Sequence, residues 1–345
     1  MKIVAWETTR KCAHKCKHCR ASACNNEYPD ELNTSEGKRL IESIASDLPA
    51  LLILTGGEPL FRNDIFTLSS YASKLGIRVV MAPCGSSITP EISKKIKTSG
   101  ISRISLSLDG IDSTSHDDFR GRQGSYDEII KAANILRKND IEFQINTTVT
   151  TKNVNDLKNI NNLATSLGAV IHDIFLLVPT GRASSLKSFE LSSDKYENTL
   201  QWIAKESVTG RRNIKVTCAP HYSRIWRQIK AKYNGTKNPK KVRPPTGCLA
   251  GSKFIFVSHT GDVQPCGFFN KQCGNIKDFN YDLKKTCSQS EIITKICSKT
   301  EYIGKCSICE FWEICKGCRA RSFEHTGNFL DEEPFCSYIP ATKEP

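Results

Sequence analysis

The sequence lacks the long apolar run that a membrane span requires. A helix needs about 20 successive apolar residues to cross a bilayer, and no stretch of the 345 residues approaches that length. The first residues, MKIVAWETTRK, carry charges where a signal peptide would have its apolar segment. These two absences predict a cytoplasmic protein that neither crosses a membrane nor is secreted.

The sequence has fewer acidic residues than basic residues. The chain has 36 Asp and Glu against 49 Lys and Arg, a formal net charge of +13, so its surface favours anionic partners. Nucleic acids, acidic small molecules and acidic proteins all meet that description. The sequence has no recognisable DNA-reading helix or zinc finger, so we expect no nucleic acid partner. The densest basic run, KNPKKVRPP at 237 to 245, contains prolines and is interpreted as a solvated linker.

Cysteine, by contrast, is abundant. Five of the 16 cysteines occur by residue 84, Cys218 stands alone, and ten lie between Cys248 and Cys336. A chain of this length can bury an adequate core without disulfides, and thiols stay reduced in the cytoplasm. The two dense groups of cysteines therefore indicate metal binding or redox chemistry.

A repeated unit of strand and helix predicts an α/β fold. Runs rich in apolar and β-branched residues recur about every thirty residues, each followed by a stretch with helical periodicity. The runs are KIVAWE, LLILT, IRVVMA, ISRISLSL, IEFQINTTV and AVIHDIFLLV. Such a pattern predicts a parallel sheet. Six units are too few for a closed eight-stranded barrel, which leaves an open, partial barrel or a doubly wound sheet.

Local signals predict where some of the helices begin. Thr89 followed by Pro90 fits an N-cap and a first helical position. Ser125, with Glu128 three residues later, fits a capping box.

The same pattern divides the chain into three segments. Residues 1–182 form the repeated core, and residues 183–245, where the strand pattern stops, are predicted to be a helical connector. Residues 246–345 form a cysteine-rich, turn-rich domain. Unusual motifs follow the first, second, fourth and sixth predicted strands, so we expect them at one edge of the sheet.

The first group of cysteines places three soft ligands within eight positions, at Cys12, Cys16 and Cys19. Three thiolates can hold three irons of a [4Fe-4S] cluster and leave the fourth iron open to a non-protein ligand. Zinc is an alternative, but His14 or His18 could act as its fourth ligand only if a very short loop bent sharply. Cys24 could also supply a fourth ligand, as an electron-transfer cluster would require.

This CxxxCxxC spacing, joined to GGEP after the second strand, resembles the radical S-adenosylmethionine (radical SAM) enzymes. In that family the cysteines bind a [4Fe-4S] cluster, and SAM chelates the open iron through its amino and carboxylate groups. The resemblance implies a partial (β/α)6 barrel, in which the SAM amino group meets Gly56, Gly57, Glu58 and Pro59. It also implies contacts to the SAM carboxylate, ribose and adenine from Ser107, Asp109, Asn146 and Thr148. Hydroxyl and apolar residues also alternate in any half-buried strand, so a structural role for these four stays open.

The second group of cysteines resembles the C-terminal SPASM or twitch extension of radical SAM proteins, which carries auxiliary [4Fe-4S] clusters. By that resemblance one auxiliary cluster has as ligands Cys306, Cys309, Cys315 and Cys336. The other has Cys248, Cys266 and Cys318, with Cys273 as a candidate fourth. The spacing between the third and fourth cysteines of CSICEFWEICKGC is one residue short of the common pattern, so a single auxiliary cluster stays open. A zinc ribbon is the alternative, although its paired CxxC units normally lie further apart.

Longer stretches narrow the resemblance to the heme-biosynthesis branch, and within it to the heme synthases of the siroheme-dependent pathway. They are WETTRKCAHKCKHCRASA, FLLVPTGR and CKGCRARSFEHTGNFLDEEPFCSYIP. The resemblance implies oxidative decarboxylation of two propionates of iron-coproporphyrin III to the vinyl groups of heme b. A 5′-deoxyadenosyl radical would take a β-hydrogen, CO2 would leave, and an auxiliary cluster could accept the remaining electron. Arginines at the rim suit the substrate carboxylates, and the candidates are Arg10, Arg20 and Arg182.

Other functions stay open at this point. The chain could be a radical SAM enzyme that matures peptides or modifies another porphyrin. It could also be a non-catalytic iron-sulfur electron carrier, although GGEP would then have no explanation. An enzyme of this kind needs an electron donor such as a ferredoxin or a flavodoxin.

Overall fold

A computed structural model of the protein describes residues 2–210, 213–233 and 244–341. The basic run interpreted as a linker, 237–245, lies outside the described residues except for its last two positions. No helix in the described ranges is both long enough and apolar enough to span a membrane.

The described strands form one open sheet. They are β1 (Lys2–Thr9), β2 (Ala50–Gly56), β3 (Arg78–Met81), β4 (Ile101–Ser107), β5 (Phe143–Val149), β6 (Ile171–Leu176), β7 (Ile214–Thr217), β8 (Phe254–Val257) and β9 (Val263–Gln264). Their order in the sheet is β7-β6-β5-β4-β3-β2-β1-β8-β9. Every neighbouring pair from β7 to β8 is parallel, whereas β9 runs antiparallel to β8. The carboxyl ends of the parallel strands therefore meet at one rim.

Helices connect the strands and cover one face of the sheet. Those of the repeated core are α1 (Thr34–Ala45), α2 (Ile65–Lys74), α3 (Pro90–Thr98), α4 (Ser113–Arg120), α5 (Ser125–Lys138) and α6 (Leu157–Leu167), and they are followed by α7 (Ser193–Val208) and α8 (Tyr222–Lys232). The cysteine-rich region has the shorter helices α9 (Leu283–Ser288), α10 (Glu291–Cys297), α11 (Lys305–Ile308) and α12 (Arg319–Thr326).

Strand β5 shows how the sequence creates the two faces of the sheet. Phe143 and Ile145 are buried and pack in the main core with Leu136 of α5 and Ile160 of α6. Side chains alternate along a strand, so the opposite, inner face of β5 carries half-buried polar residues: Gln144, Asn146 and Thr148. The polar inner face is the side on which a substrate can bind.

The six strands predicted from the sequence are all present, and the predicted start of α3 is correct. Thr89 accepts a hydrogen bond from the Ile92 amide, and Pro90 is the first helical residue. The predicted capping box at Ser125 is wrong, because Ser125 is itself the first residue of α5. The carboxylate of Asp117 binds this end of the helix instead, accepting from the amides of Gly124 and Tyr126 and from the Ser125 hydroxyl.

The sequence had suggested that the strand pattern stops after residue 182, but the structure has a further strand in the segment that follows. The predicted helical connector contains α7 and α8, but also β7, which pairs with β6. Strand β8, from the cysteine-rich region, pairs with β1 at the other side of the core strands. Both strands have only four residues, and their pairing depends on the tertiary structure rather than on their own sequence. The sheet thus continues from the core into the C-terminal region.

Candidate cluster and cofactor site

The first three cysteines lie in a loop that follows β1 at the rim of the sheet. Cys12 and Cys16 are buried, with 6% and 8% of their surface exposed, and Cys19 is partly buried. The amide of Cys12 donates to the Cys24 carbonyl over 2.9 Å, which closes the loop on itself. The thiol of Cys24 has a different partner, the Tyr28 hydroxyl, 2.9 Å away. The main-chain carbonyl of Cys24 therefore closes the loop, while its thiol contacts Tyr28.

Arg182 holds this cysteine loop through its main chain. Its Nε donates to the Cys16 carbonyl over 2.9 Å, and its Nη1 donates to the Ala23 carbonyl over 2.6 Å. The amide of Arg182 also donates to the Cys19 carbonyl. From the sequence, Arg182 was predicted to bind substrate carboxylates. The structure instead directs these two guanidinium donors at loop carbonyls, so a positioning role fits the geometry better.

The GGEP segment packs against the chain that leads into the cysteine loop. The Gly57 amide donates to the Thr9 carbonyl and the Glu58 amide to the Lys11 carbonyl, each over 2.8 Å. A Cβ on Gly57 would lie 2.3 Å from the Lys11 carbonyl oxygen, so this close approach requires glycine. Pro59 then begins a short 3-10 helix, Pro59–Phe61, and the Glu58 side chain accepts from the Leu60 amide at its start.

Glu58 is fully buried, and its carboxylate accepts two main-chain hydrogen bonds. Oε1 accepts from the Leu60 amide over 3.0 Å, and Oε2 accepts from the Cys84 amide over 2.6 Å. Burial raises the pKa of Glu58 despite these two bonds. The carboxylate predicted to meet SAM thus also joins the ends of β2 and β3.

Cys84 also lies at this site, although the sequence did not predict it there. It follows β3 at the same rim, and its Sγ lies 3.7 Å from the Sγ of Cys12. Cys84 and Cys19 both pack against the small apolar cluster that contains Cys12. Its position three residues after the end of β3 was the signal available in the sequence, but the chain separation of 72 residues from Cys12 gives no spacing pattern.

The residues predicted to contact the rest of SAM lie on the inner face and rim of β4 and β5. Ser107 and Asn146 are partners in the register of the two strands, and both are half-buried, like Thr148. Asp109 differs, since it is 2% exposed. Its Oδ1 accepts from the Thr148 amide over 2.7 Å, and its Oδ2 lies 2.7 Å from Nη2 of Arg120. The Asp109 carboxylate therefore ties β4 to β5 and α4.

Arg10 and Arg20 lie together at the rim around the buried carboxylate of Glu7. Arg10 Nε is 2.8 Å from one Glu7 oxygen, Arg20 Nη1 is 3.5 Å from the other, and His259 Nδ1 is 3.2 Å away. Burial by itself would raise the pKa of Glu7, but the His259 hydrogen bond and the charges of Arg20 and Arg10 lower it to about 2. Arg20 also covers the ring of Phe256 in β8. This group joins the cysteine loop to the C-terminal region.

Four cysteines of the C-terminal region line one cavity, which we call the outer cysteine site: Cys306, Cys309, Cys315 and Cys336. The cavity encloses about 360 Å³, part of it open to solvent, and His221 and Arg224 also line it. These are the four cysteines that the resemblance assigns to one auxiliary cluster.

A second set of thiols, which we call the inner cysteine site, differs from the ligand set predicted for the other auxiliary cluster. Cys266 and Cys318 pack in one apolar cluster with Cys218, and the Cys218 thiol interacts electrostatically with those of Cys318, Cys266 and Cys248. Cys273 is elsewhere. It is buried in the main core, with its thiol next to the Lys271 carbonyl. The Cys273 amide donates to the Val263 carbonyl of β9 over 2.7 Å, and its side chain belongs to a different apolar cluster from those of Cys266 and Cys318. The structure therefore does not bring Cys273 to this set.

The two C-terminal sites are connected through a short segment and a buried ion pair. Cys315 of the outer site and Cys318 of the inner site are separated by two residues. The amide of Cys318 donates to Glu333 Oε2 over 2.7 Å, and Glu333 pairs with Arg321 over 3.3 Å. Arg321 and Glu333 are at most 1% exposed.

The donor sets fit iron-sulfur clusters. All three sites present several thiols, and cluster iron is held by Cys thiolates. Burial raises the pKa of Cys16, and it raises the pKa of Cys266 to about 12 and that of Cys318 to about 11. These thiols therefore stay protonated until a bound cation displaces their protons. Among the described residues, no group of three potential ligands is spaced for a single metal ion.

Comparisons with known proteins agree with this geometry. The family model of the radical SAM superfamily matches residues 6–164 of this chain. A protein of Nitratidesulfovibrio vulgaris named AdoMet-dependent heme synthase is 44% identical over 100% of this chain and 94% of its own length. A protein of the same name from Methanosarcina barkeri is 40% identical over 99% of this chain and 98% of its own. Streptococcus suis SuiB bound to S-adenosylmethionine superposes with a TM-score of 0.73 at 18% identity, covering 97% of this chain and 77% of SuiB.

Proposed function

Because the chain belongs to the radical SAM superfamily, we propose that it oxidatively decarboxylates two propionates of iron-coproporphyrin III and so forms the vinyl groups of heme b. The observation that carries this proposal is the 44% identity, over the whole chain, to a protein named AdoMet-dependent heme synthase. The cysteine loop at the rim and the two C-terminal cysteine sites supply the parts that such a reaction needs.

The first cysteine loop is the proposed catalytic centre of the protein. When bound there, the [4Fe-4S] cluster supplies the electron that splits SAM and generates the hydrogen-abstracting 5′-deoxyadenosyl radical. Cys12, Cys16 and Cys19 would hold that cluster, and Arg182 fixes the loop through the Cys16 and Ala23 carbonyls. On the half-buried inner face of β4 and β5, Ser107, Asn146 and Thr148 would contact the remainder of SAM.

Arg10 and Arg20 are the proposed ligands of the porphyrin carboxylates. Arg10 has 35% of its side chain exposed at the rim, so part of this side chain is accessible. Glu7 fixes both arginines from below, which limits the side-chain entropy lost when they bind a carboxylate. Guanidinium groups match carboxylates in a bidentate geometry, and the net charge of +13 favours an anionic substrate.

Electron balance gives the C-terminal cysteine sites a role. Each propionate that becomes a vinyl group loses one hydrogen atom, one CO2 and one electron. The hydrogen atom goes to the deoxyadenosyl radical, and the electron needs an acceptor near the substrate. We assign that role to auxiliary clusters at the inner and outer cysteine sites, while an external cytoplasmic donor such as a ferredoxin or flavodoxin reduces the first cluster.

The test is an anaerobic turnover assay with the reconstituted, reduced holoenzyme, SAM and iron-coproporphyrin III. Chromatography and mass spectrometry should detect 5′-deoxyadenosine together with stepwise loss of two CO2 from the porphyrin. Cys16→Ala should make neither product. Arg10→Ala should raise the KM for the porphyrin. Arg39 stacks on Tyr281 of the cysteine-rich region, and Arg39→Ala should leave that KM unchanged.

Other outcomes would assign other functions. Deoxyadenosine without a change in the porphyrin would leave a radical SAM enzyme with another porphyrin or a peptide as its substrate. Intact SAM in a protein with all its clusters would overturn the enzyme and favour an electron carrier.

A further inference from the structure

Cys218 has a backbone conformation that its sequence does not explain. It directly follows β7, and its φ is +63°. Non-glycine residues seldom adopt this left-handed region, because the Cβ approaches the neighbouring carbonyl oxygen. Such strain persists where the surrounding structure imposes it, and it concentrates at functional sites. Here the Tyr196 hydroxyl donates to the Cys218 carbonyl over 3.1 Å and helps to hold the conformation.

The strained backbone directs the Cys218 side chain into the inner cysteine site. Cys218 packs against the same apolar cluster as Cys266 and Cys318, which includes Val178 and Phe269. Its thiol interacts electrostatically with the three thiols of that site. The four cysteines come from the end of β7, the chain before β8, the turn after β9 and the start of α12. Four separate chain segments thus each contribute one cysteine to the inner cysteine site.

We propose that Cys218 is the fourth thiolate ligand of an iron-sulfur cluster held by Cys248, Cys266 and Cys318. This assignment rests on the proposed function, because it completes one of the auxiliary clusters. A cluster with four thiolate ligands has no iron open to substrate. The inner cluster therefore passes electrons and does not bind the porphyrin through iron.

The assignment also explains why the sequence pattern placed the fourth ligand wrongly. Cys218 is 30 residues before Cys248, across the segment that follows α8, so no short spacing relates the two. Cys273, only seven residues after Cys266, is nearer in sequence but faces the main core. The ligand thus comes from the barrel strand β7 and not from the cysteine-rich region.

Cysteine substitutions in a simplified background test the assignment. The background carries Cys12→Ala, Cys16→Ala and Cys19→Ala, so only auxiliary clusters contribute iron and electron paramagnetic resonance (EPR) signals. Cys218→Ala should change the g-values of one of the two clusters and make that cluster respond to added cyanide, which binds an open iron. Mild oxidation should then release about one iron per chain, since an iron without a thiolate is held least firmly. Cys273→Ala is the matched control and should match the background in all three measurements.

Each result decides the question. The outer cluster signal of the Cys218→Ala protein reports whether the chain is still folded, and Cys218→Ser, which keeps the size and an oxygen ligand, should give an intermediate cyanide response. Identical spectra and iron content for Cys218→Ala and the background would overturn the assignment. So would a cyanide-sensitive cluster in Cys273→Ala. A background protein with no auxiliary cluster at all would overturn the auxiliary part of the proposed function itself.

Discussion

At the scale of single residues, the cysteine loop depends on Arg182 as much as on its thiols. Two guanidinium donors span from the Cys16 carbonyl to the Ala23 carbonyl. The loop has little regular structure, so these bonds help to decide where its three thiols lie.

Arg182→Ala should therefore weaken the first cluster. Each charge-assisted hydrogen bond contributes about 1.5–3 kcal/mol, and the substitution removes two. We expect lower iron retention and slower formation of 5′-deoxyadenosine, both measured after reconstitution. Arg182→Lys keeps the charge but cannot reach both carbonyls with a planar fork, so it should be impaired too. A variant with full iron and normal SAM cleavage but weaker porphyrin binding would restore the substrate role expected from the sequence.

Cys84 offers a second test at this scale. Its thiol lies 3.7 Å from the Cys12 sulfur, within the range of a weak S-H donor. A hydrogen bond to a ligand sulfur stabilises the extra negative charge of a reduced cluster and raises its reduction potential. Cys84→Ala should lower the potential of the first cluster in an EPR-monitored titration without SAM. The exposed Cys297 provides the control, as Cys297→Ala should leave the potential unchanged. An unaltered potential in Cys84→Ala would exclude this role.

What the sequence could predict at the residue scale depended on local spacing. Cys12, Cys16 and Cys19 lie within eight positions, and such spacing is readable without a structure. Cys84 and Cys218 lie at the ends of separate strands, and only the folding of the sheet brings them to their partners. Arg182 was predicted to lie at the rim, where the structure places it, but a sequence does not show that its guanidinium meets the Cys16 and Ala23 carbonyls.

At the scale of elements, the two glycines of GGEP allow β2 to end directly against the cysteine loop. The main chain of residues 9–11 lies so close that a Cβ at Gly57 would be 2.3 Å from the Lys11 oxygen and 2.7 Å from that of Arg10. Backbone atoms cannot yield as a flexible side chain can, so the whole loop entry must move.

Gly57→Ala should consequently displace the cysteine loop while leaving the fold in place. We expect loss of most of the iron of the first cluster and of SAM cleavage, measured by iron assay and chromatography. Gly124→Ala is the control, since a Cβ there meets no atom within 4 Å. It should cost only the roughly 1–2 kcal/mol of a left-handed alanine and keep its iron. Normal iron content in Gly57→Ala would contradict the packing argument.

The regular elements were the most predictable part of the fold. The six core strands have long apolar or alternating runs, and all six are present. The four-residue strands β7 and β8 were missed, since their pairing is decided by the tertiary structure and not by their own sequence. The N-terminus of α5 was also misjudged, because Asp117 of α4 supplies the capping carboxylate.

At the scale of the whole molecule, the excess positive charge should govern the approach of the porphyrin. Salt screens such attraction, as the Debye length falls from about 30 Å at 0.01 M to about 3 Å at 1 M ionic strength. The KM for iron-coproporphyrin III should rise several-fold across this range, while kcat at saturation changes little. SAM carries no net negative charge, so its KM should not rise in parallel. A porphyrin KM that ignores salt would mean that the net charge has no part in binding.

The pairing of β8 with β1 has a consequence for how the protein is made. Strand β1 leads into the first cysteine loop, yet one of its two neighbours consists of residues 254–257. A ribosome delivers the chain from its N-terminus, so one edge of β1 stays unpaired until Phe254 has emerged. Unpaired strand edges recruit other chains, and domains of this size expose them during synthesis. We therefore expect nascent chains to need protection until late in translation, and iron to enter the first loop only after the C-terminal half has folded.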